Sequence, residues 1–243
     1  DGNGVNDTIG MAVSKTPWDQ LFTLKGFFNA FDSYPEIWVD DGTGKLVYGS
    51  TLPGTKDALA TLHQMYVDGL LDPEFAVKDD GKVAEATTSG KCGIMFGAQW
   101  NSIYPLQNSK NLEPEGQWQA FPIVTATDHK AKAQTDVGTT AWTVVRKDCE
   151  HPEAVVKMYN LFIDKCWGPN NENGVYYAPL DSESIWKLSP VTPTKPDKNL
   201  KAFLDLEAAR QSGDFSQVTG EGYSILQKLQ AFESGSEEGS ALC

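Results

Sequence analysis

Cys92-Gly93-Ile94-Met95-Phe96-Gly97-Ala98-Gln99-Trp100-Asn101-Ser102 carries the first firm sign of the fold. Its apolar run reads as a short strand, Gly97 breaks it, and an aromatic flanked by two amides follows directly. In open α/β sheets, ligands bind beyond the carboxyl ends of the strands, so a binding side chain belongs here. Trp100 offers a flat stacking face, while Gln99 and Asn101 offer donors and acceptors suited to hydroxyl groups. Trp18 is placed equivalently, just after a strand read over Ile9 to Val13 and at the start of a helical pattern.

Working outward, strands alternate with helices. Pro17 to Phe31 has helical spacing of Leu21, Leu24, Phe27, Phe28 and Phe31. Ile37 to Val39 and Lys45 to Tyr48 flank Asp40-Asp41-Gly42-Thr43-Gly44, which predicts a hairpin. A helix follows Pro53-Gly54, carries Leu59, Leu62, Met65 and Tyr66 on one face, and stops at Gly69. Lys82 to Thr88 reads as a second, short helix, and another is expected to start within Asn101 to Leu106. Gln119 to Val124 and Thr140 to Val145 read as strands, separated by a polar loop. Pro152 suits the first turn of a helix running through Val155, Val156, Tyr159 and Phe162. Two amphipathic helices are expected over Leu200 to Ala209 and Tyr223 to Phe232, and no internal repeat is visible. This alternation argues for a layered α/β fold.

Composition narrows the function. At 243 residues, with 40% hydrophobic and 22% charged, the chain has the make-up of a soluble globular protein with a sizeable core. No stretch approaches the roughly 20 apolar residues of a membrane span. A net charge of −13, with its basic residues scattered, repels phosphate backbones and argues against nucleic acid as a partner. Cys92, Cys149, Cys166 and Cys243 include no Cys-x-x-Cys pair and do not cluster with His63, His129 or His151, so zinc is not expected. Which cysteines pair, if any do, stays open. Seven tryptophans and eight tyrosines, several outside core periodicities, suit flat, half-apolar ligands such as sugar rings.

Catalytic constellations are missing from the pattern. There is no Gly-x-Ser-x-Gly elbow, no phosphate-binding glycine loop, and no histidine placed as a base. No carboxylate pair stands out from the 33 acidic residues. The start of the chain is different: Asp1, Asn3 and Asp7 present side-chain oxygens at alternating positions, and Val5 could add a backbone carbonyl. Calcium loops place hard oxygen ligands in that way. The closing bidentate Glu of an EF-hand is absent, and the bland reading is an Asn-Gly turn.

Four patterns in order then carry a resemblance: Asp1 to Gly10, Gly69-Leu70-Leu71-Asp72-Pro73-Glu74-Phe75, Ser89 to Ala98, and Lys147 to Ala154. From Ile9 to about Phe162 the chain resembles the extracellular solute-binding proteins of family 1, sugar receptors of ABC importers, near the maltodextrin- and alginate-binding lipoproteins. The resemblance implies a periplasmic-binding-protein-like fold of type II. Residues 1–137 would belong to the second lobe, and 138–243 would cross the hinge and add helices to the first. It implies a non-catalytic receptor that takes an oligosaccharide to a permease, acts as a monomer, and is held outside the cell by a lipid anchor beyond this chain. It also implies sugar stacking on Trp18 and Trp100, with Gln99 and Asn101 beside them, and a structural calcium at Asp1, Asn3, Val5 and Asp7. Gln99 departs from the family pattern, which often has an aromatic there. The alternatives are a polysaccharide-active enzyme and a ligand-sensing module for a signalling receptor.

Overall fold

The computed structural model describes residues 4–135, 138–139, 141–179, 184–236 and 239–240. These divide into two units, one of Asp1–Asp136 with Ser240–Cys243, the other of Val137–Gly239.

In the first unit, β1 (Ile9–Met11) runs parallel to β4 (Cys92–Ile94), with Ile9 opposite Cys92 and Met11 opposite Ile94. Met11 also bridges in parallel to Leu71, and its N–H donates to the Leu70 carbonyl at 3.0 Å. A short parallel core therefore centres on β1. The helix α2 (Gly54–Val67) leads into this bridge. It ends at Gly69, whose φ of 72° is the left-handed turn that lets the Leu70 N–H reach back to the Met65 carbonyl at 2.9 Å. Gly54 is required for another reason: a Cβ there would lie 1.7 Å from the Phe31 carbonyl oxygen.

The hairpin forms as expected from β2 (Trp38–Asp40) and β3 (Leu46–Tyr48), antiparallel, with Trp38 opposite Tyr48. Asp40 Oδ1 accepts the N–H groups of Gly42 and Gly44 and so closes the turn. Between β3 and β4 come α2 and α3 (Asp80–Thr88), the latter capped by Asp79, which accepts the Lys82 N–H at 3.0 Å. After β4 comes α4 (Leu106–Leu112). Met11, Val13, Leu24, Phe28, Ala58 and Leu71 form one buried cluster, and Ala12, Leu21, Phe22, Val83, Ala84 and Cys92 a second.

Three expectations need correction. Pro17 to Phe31 is helical over Lys25–Asn29 alone, as α1. Upstream, Phe22 is fully buried at φ 54°, a conformation no α-helix admits, and the Leu24 N–H closes back on the Pro17 carbonyl. On α2 Leu62 and Met65 pack against the core beside the buried Ala58, as expected, whereas Leu59 and Tyr66 face solvent. Neither 119–124 nor the described part of 140–145 is a strand, and Phe121, Val124, Trp142 and Val144 are exposed. The polar loop after Val124 does fold back. Gln134 exchanges hydrogen bonds with the buried Asn29 side chain at 3.0 Å each way, and its Nε2 donates to the Pro35 carbonyl at 2.8 Å.

The second unit is helical: α5 (Glu153–Cys166), α6 (Lys198–Ser212) and α7 (Gly220–Glu233), with short turns over Asn173–Tyr177 and Ile185–Leu188. Helix α5 buries Phe162 and Cys166 against Tyr177, Ala178 and the partly buried Trp167 and Trp186. Helices α6 and α7 share a cluster of Leu206, Ala209, Val218 and Leu226. Gly213, at φ 77°, ends α6. Lys198 and Tyr177 both donate to Glu221 Oε2, at 2.8 and 2.7 Å, tying α6 and the 173–177 turn to the start of α7.

Candidate functional site

The carboxyl end of β4 is built by two segments far apart in sequence. Past Ile94 the chain leaves the strand, and Gln99–Ser102 form a single 3₁₀ turn. Facing it is the loop from Thr16 to Leu24, held by the buried Phe22 and by Thr23 Oγ1 donating to the Pro17 carbonyl. Gln20 joins the two. Its backbone carbonyl accepts the Ala98 N–H at 3.0 Å, and its side-chain Oε1 accepts the Trp100 indole N–H at 2.9 Å.

Trp100 is half-buried and packs against the cluster that contains Leu21, Phe22 and Val83. An indole with its N–H satisfied and part of its surface open is a ready stacking surface. Gln99 beside it is exposed. Asn101 is not: it is 4% exposed, and neither atom of its amide has a hydrogen-bond partner. Gly97 makes the room for it, since a Cβ there would lie 1.6 Å from Asn101 Oδ1.

Trp18 is half-buried too, but its ring meets Phe28 edge to face, with centroids 5.1 Å apart at 75°, within the cluster around Met11. Trp100, Gln99 and Asn101 thus share one turn, whereas among the described residues no ring contact joins Trp18 to Trp100. Gln20 had no signal in the sequence. An exposed amide in a loop becomes significant only once the fold sets it against a residue 80 positions away.

At the glycine-rich start, Asp1 and Asn3 lie outside the described residues. Val5 is exposed, and Asp7 Oδ2 pairs with Lys91 Nζ at 3.0 Å. A carboxylate already neutralised by an ammonium does not fit a calcium ligand as it stands. Among the described residues no group of three or more His, Cys, Asp or Glu is placed to hold a metal ion.

Residues 2–165 match the bacterial extracellular solute-binding proteins. The chain belongs to that family. It is similar to Lipoprotein LipO of Bacillus subtilis (strain 168), 35% identical over 102 residues that cover 39% of this chain and 19% of that protein. It is also similar to the "Uncharacterized protein in butB 5'region" of Niallia circulans, 27% identical over 133 residues, 50% of this chain and 52% of that one. The chain spans about half or less of the length of these curated relatives. No solved structure matches it.

This solute-binding chain also has a concavity that its sequence did not announce. In the unit of α5, a cavity of about 180 Å³ is lined by Met158, Leu161, Phe162, Cys166, Tyr176 and Trp186. It is apolar apart from its rim, where Lys165 pairs with Glu172 and lies 5.5 Å from the centre of the Tyr176 ring. No helix among the described residues is long and apolar enough to cross a membrane.

Proposed function

We propose that this chain is the carbohydrate-recognising part of a receptor that captures an oligosaccharide outside the cell and passes it to an ABC permease. One observation carries the sugar reading. Trp100 stands half-open at the carboxyl end of β4 with its indole N–H fixed by Gln20, and exposed amides lie beside it. Pyranose C–H faces pack on such a ring, and amides pair with the hydroxyls around its edge. Family membership supports binding and delivery rather than chemistry. In this reading the first unit is part of the second lobe of a type II binding fold, Trp18 offers a second stacking ring, and closure of the opposite lobe completes the site. A lipid anchor outside these residues, which the likeness to a lipoprotein supports, and a monomeric receptor belong to the same proposal.

Calcium enters the proposal as a competitor. Asp1, Asn3 and Asp7 with the Val5 carbonyl would hold it once Lys91 lets go of Asp7. Calcium that raises the melting temperature, and does so at lower concentration in Lys91→Ala, would support this. No shift in either protein at millimolar calcium would remove it.

A thermal-shift screen against neutral and acidic oligosaccharides tests the main reading. A shift that saturates, with the sugar recovered intact, is the expected result. Shorter sugars accumulating in the mixture would make the protein an enzyme, and no shift with any sugar would rule out a carbohydrate ligand.

A further inference from the structure

Asn101 is a side chain that this fold buries whole and leaves unpaired. Its backbone is fixed, the N–H donating to the Ala98 carbonyl at 2.9 Å. Its amide, by contrast, finds neither donor nor acceptor for Oδ1 or Nδ2. Such burial opposes folding, because the group gives up water and gains nothing in exchange. What permits it is Gly97, an exposed glycine against whose α-carbon the amide rests. The amide therefore lies just under the surface, in the same turn as Trp100.

We infer that this is the resting place of a recognition group, and that Asn101 turns out past Gly97 when a hydroxylated ligand arrives. An amide presents one acceptor and two donors side by side, which matches adjacent hydroxyls on a sugar ring stacked against Trp100. The ligand then supplies the hydrogen bonds that the free protein withholds. Asn101 lowers the stability of the empty protein and raises its affinity for a vicinal diol. This inference rests on the carbohydrate reading above and adds to it how the site is held in reserve.

The experiment compares the full chain with Asn101→Leu and Gly97→Ala. Each is melted without ligand and then titrated calorimetrically with maltotriose, cellotriose, xylotriose and mannotriose. Leucine keeps the branched shape of the side chain and removes the amide. Asn101→Leu should melt about 2–4 °C higher, the shift expected for a gain of this kind in a chain of this length. It should bind the recognised trisaccharide at least about tenfold more weakly. In Gly97→Ala the new Cβ has to displace only the far end of the Asn101 side chain. That moves the amide to where the ligand needs it, so binding should stay within about threefold of the original. The inference is overturned if Asn101→Leu melts at or below the original temperature, or binds the sugar unchanged. Loss of binding in Gly97→Ala at an unaltered melting temperature also overturns it. If no trisaccharide binds any of the proteins, the carbohydrate reading fails. The ligand role of Asn101 fails with it, and a raised melting temperature in Asn101→Leu would show that this failure lies in the ligand and not in the buried amide.

Discussion

The indole N–H of Trp100 donates to the side-chain oxygen of Gln20 at 2.9 Å, joining residues 80 apart in the chain. That bond fixes which way the ring faces, and the Ala98 N–H, bound to the Gln20 carbonyl at 3.0 Å, fixes the strand end beneath it. Gln20 is itself exposed, so its contribution is to orientation more than to stability. Replacing it with alanine frees the ring. The expected result is a three- to tenfold loss of oligosaccharide affinity, the equivalent of about one neutral hydrogen bond, with a melting temperature within about 2 °C of the original. Calorimetric titration beside a thermal melt checks both.

Gly54 starts α2 where the chain passes the Phe31 carbonyl, and a Cβ would sit 1.7 Å from that oxygen. The obstacle is backbone, so it yields only if α2 or the end of the Phe31 segment moves. Gly54→Ala should lose about 1–3 kcal/mol, measured by urea unfolding. An unchanged midpoint would mean that the two segments are not as close as described.

Asp72 follows the bridge between Met11 and Leu71. Burial would raise its carboxyl pKa, but the Lys78 hydrogen bond, the Glu74 N–H and the Lys78 charge outweigh it and hold the group below its ordinary 3.8. The pairing distance is 2.6 Å, with both side chains partly exposed. A carboxyl lowered in the folded state adds stability above its unfolded pKa, and that stability is lost as pH falls through the folded value. Asp72→Asn should therefore cost up to about 1 kcal/mol at pH 7, after allowance for solvent screening. The deficit should shrink as pH falls through the folded pKa and vanish below it, where both proteins carry a neutral group. Melting curves from pH 7 to pH 2 read this directly.

The described cysteines separate by burial. Cys92 and Cys166 are buried, and burial pushes both thiols above their ordinary pKa, whereas Cys149 is exposed. Thiolates are the reactive species, so iodoacetamide at pH 8 should label Cys149 and spare Cys92 and Cys166 until denaturant is added. Peptide mass spectrometry distinguishes the three.

How far the sequence led depended on whether a feature was local. The Asp40–Gly44 turn and the Gly69 stop of α2 are set by nearby residues, and both form where the pattern placed them. The stripe of α2 was read in part: Leu62 and Met65 pack against the core as expected, but the buried position is Ala58 and not the adjacent Leu59, because hydropathy favours the larger side chain. Residues 17–24 have helical spacing, yet Phe22 takes a left-handed backbone as it is buried beneath the β4 end, a long-range demand that periodicity does not encode. The segment 119–124 has strand-forming residues but no strand pairing among the described residues, and pairing, not propensity, makes a strand. The same distinction applies at the site. The position of Trp100 at the end of β4 was legible from the broken strand, whereas its bond to Gln20 was not, because only the fold brings Gln20 there.

The account turns on Trp100, and one measurement addresses it most directly: calorimetric titration of the protein and its Trp100→Ala variant with the oligosaccharide that gives the largest thermal shift. The prediction is saturable binding to the original with the sugar unconsumed, and affinity at least about tenfold lower in the variant, or about 1.4 kcal/mol. Equal affinity in the two proteins would contradict it, and would move the binding face away from the end of β4.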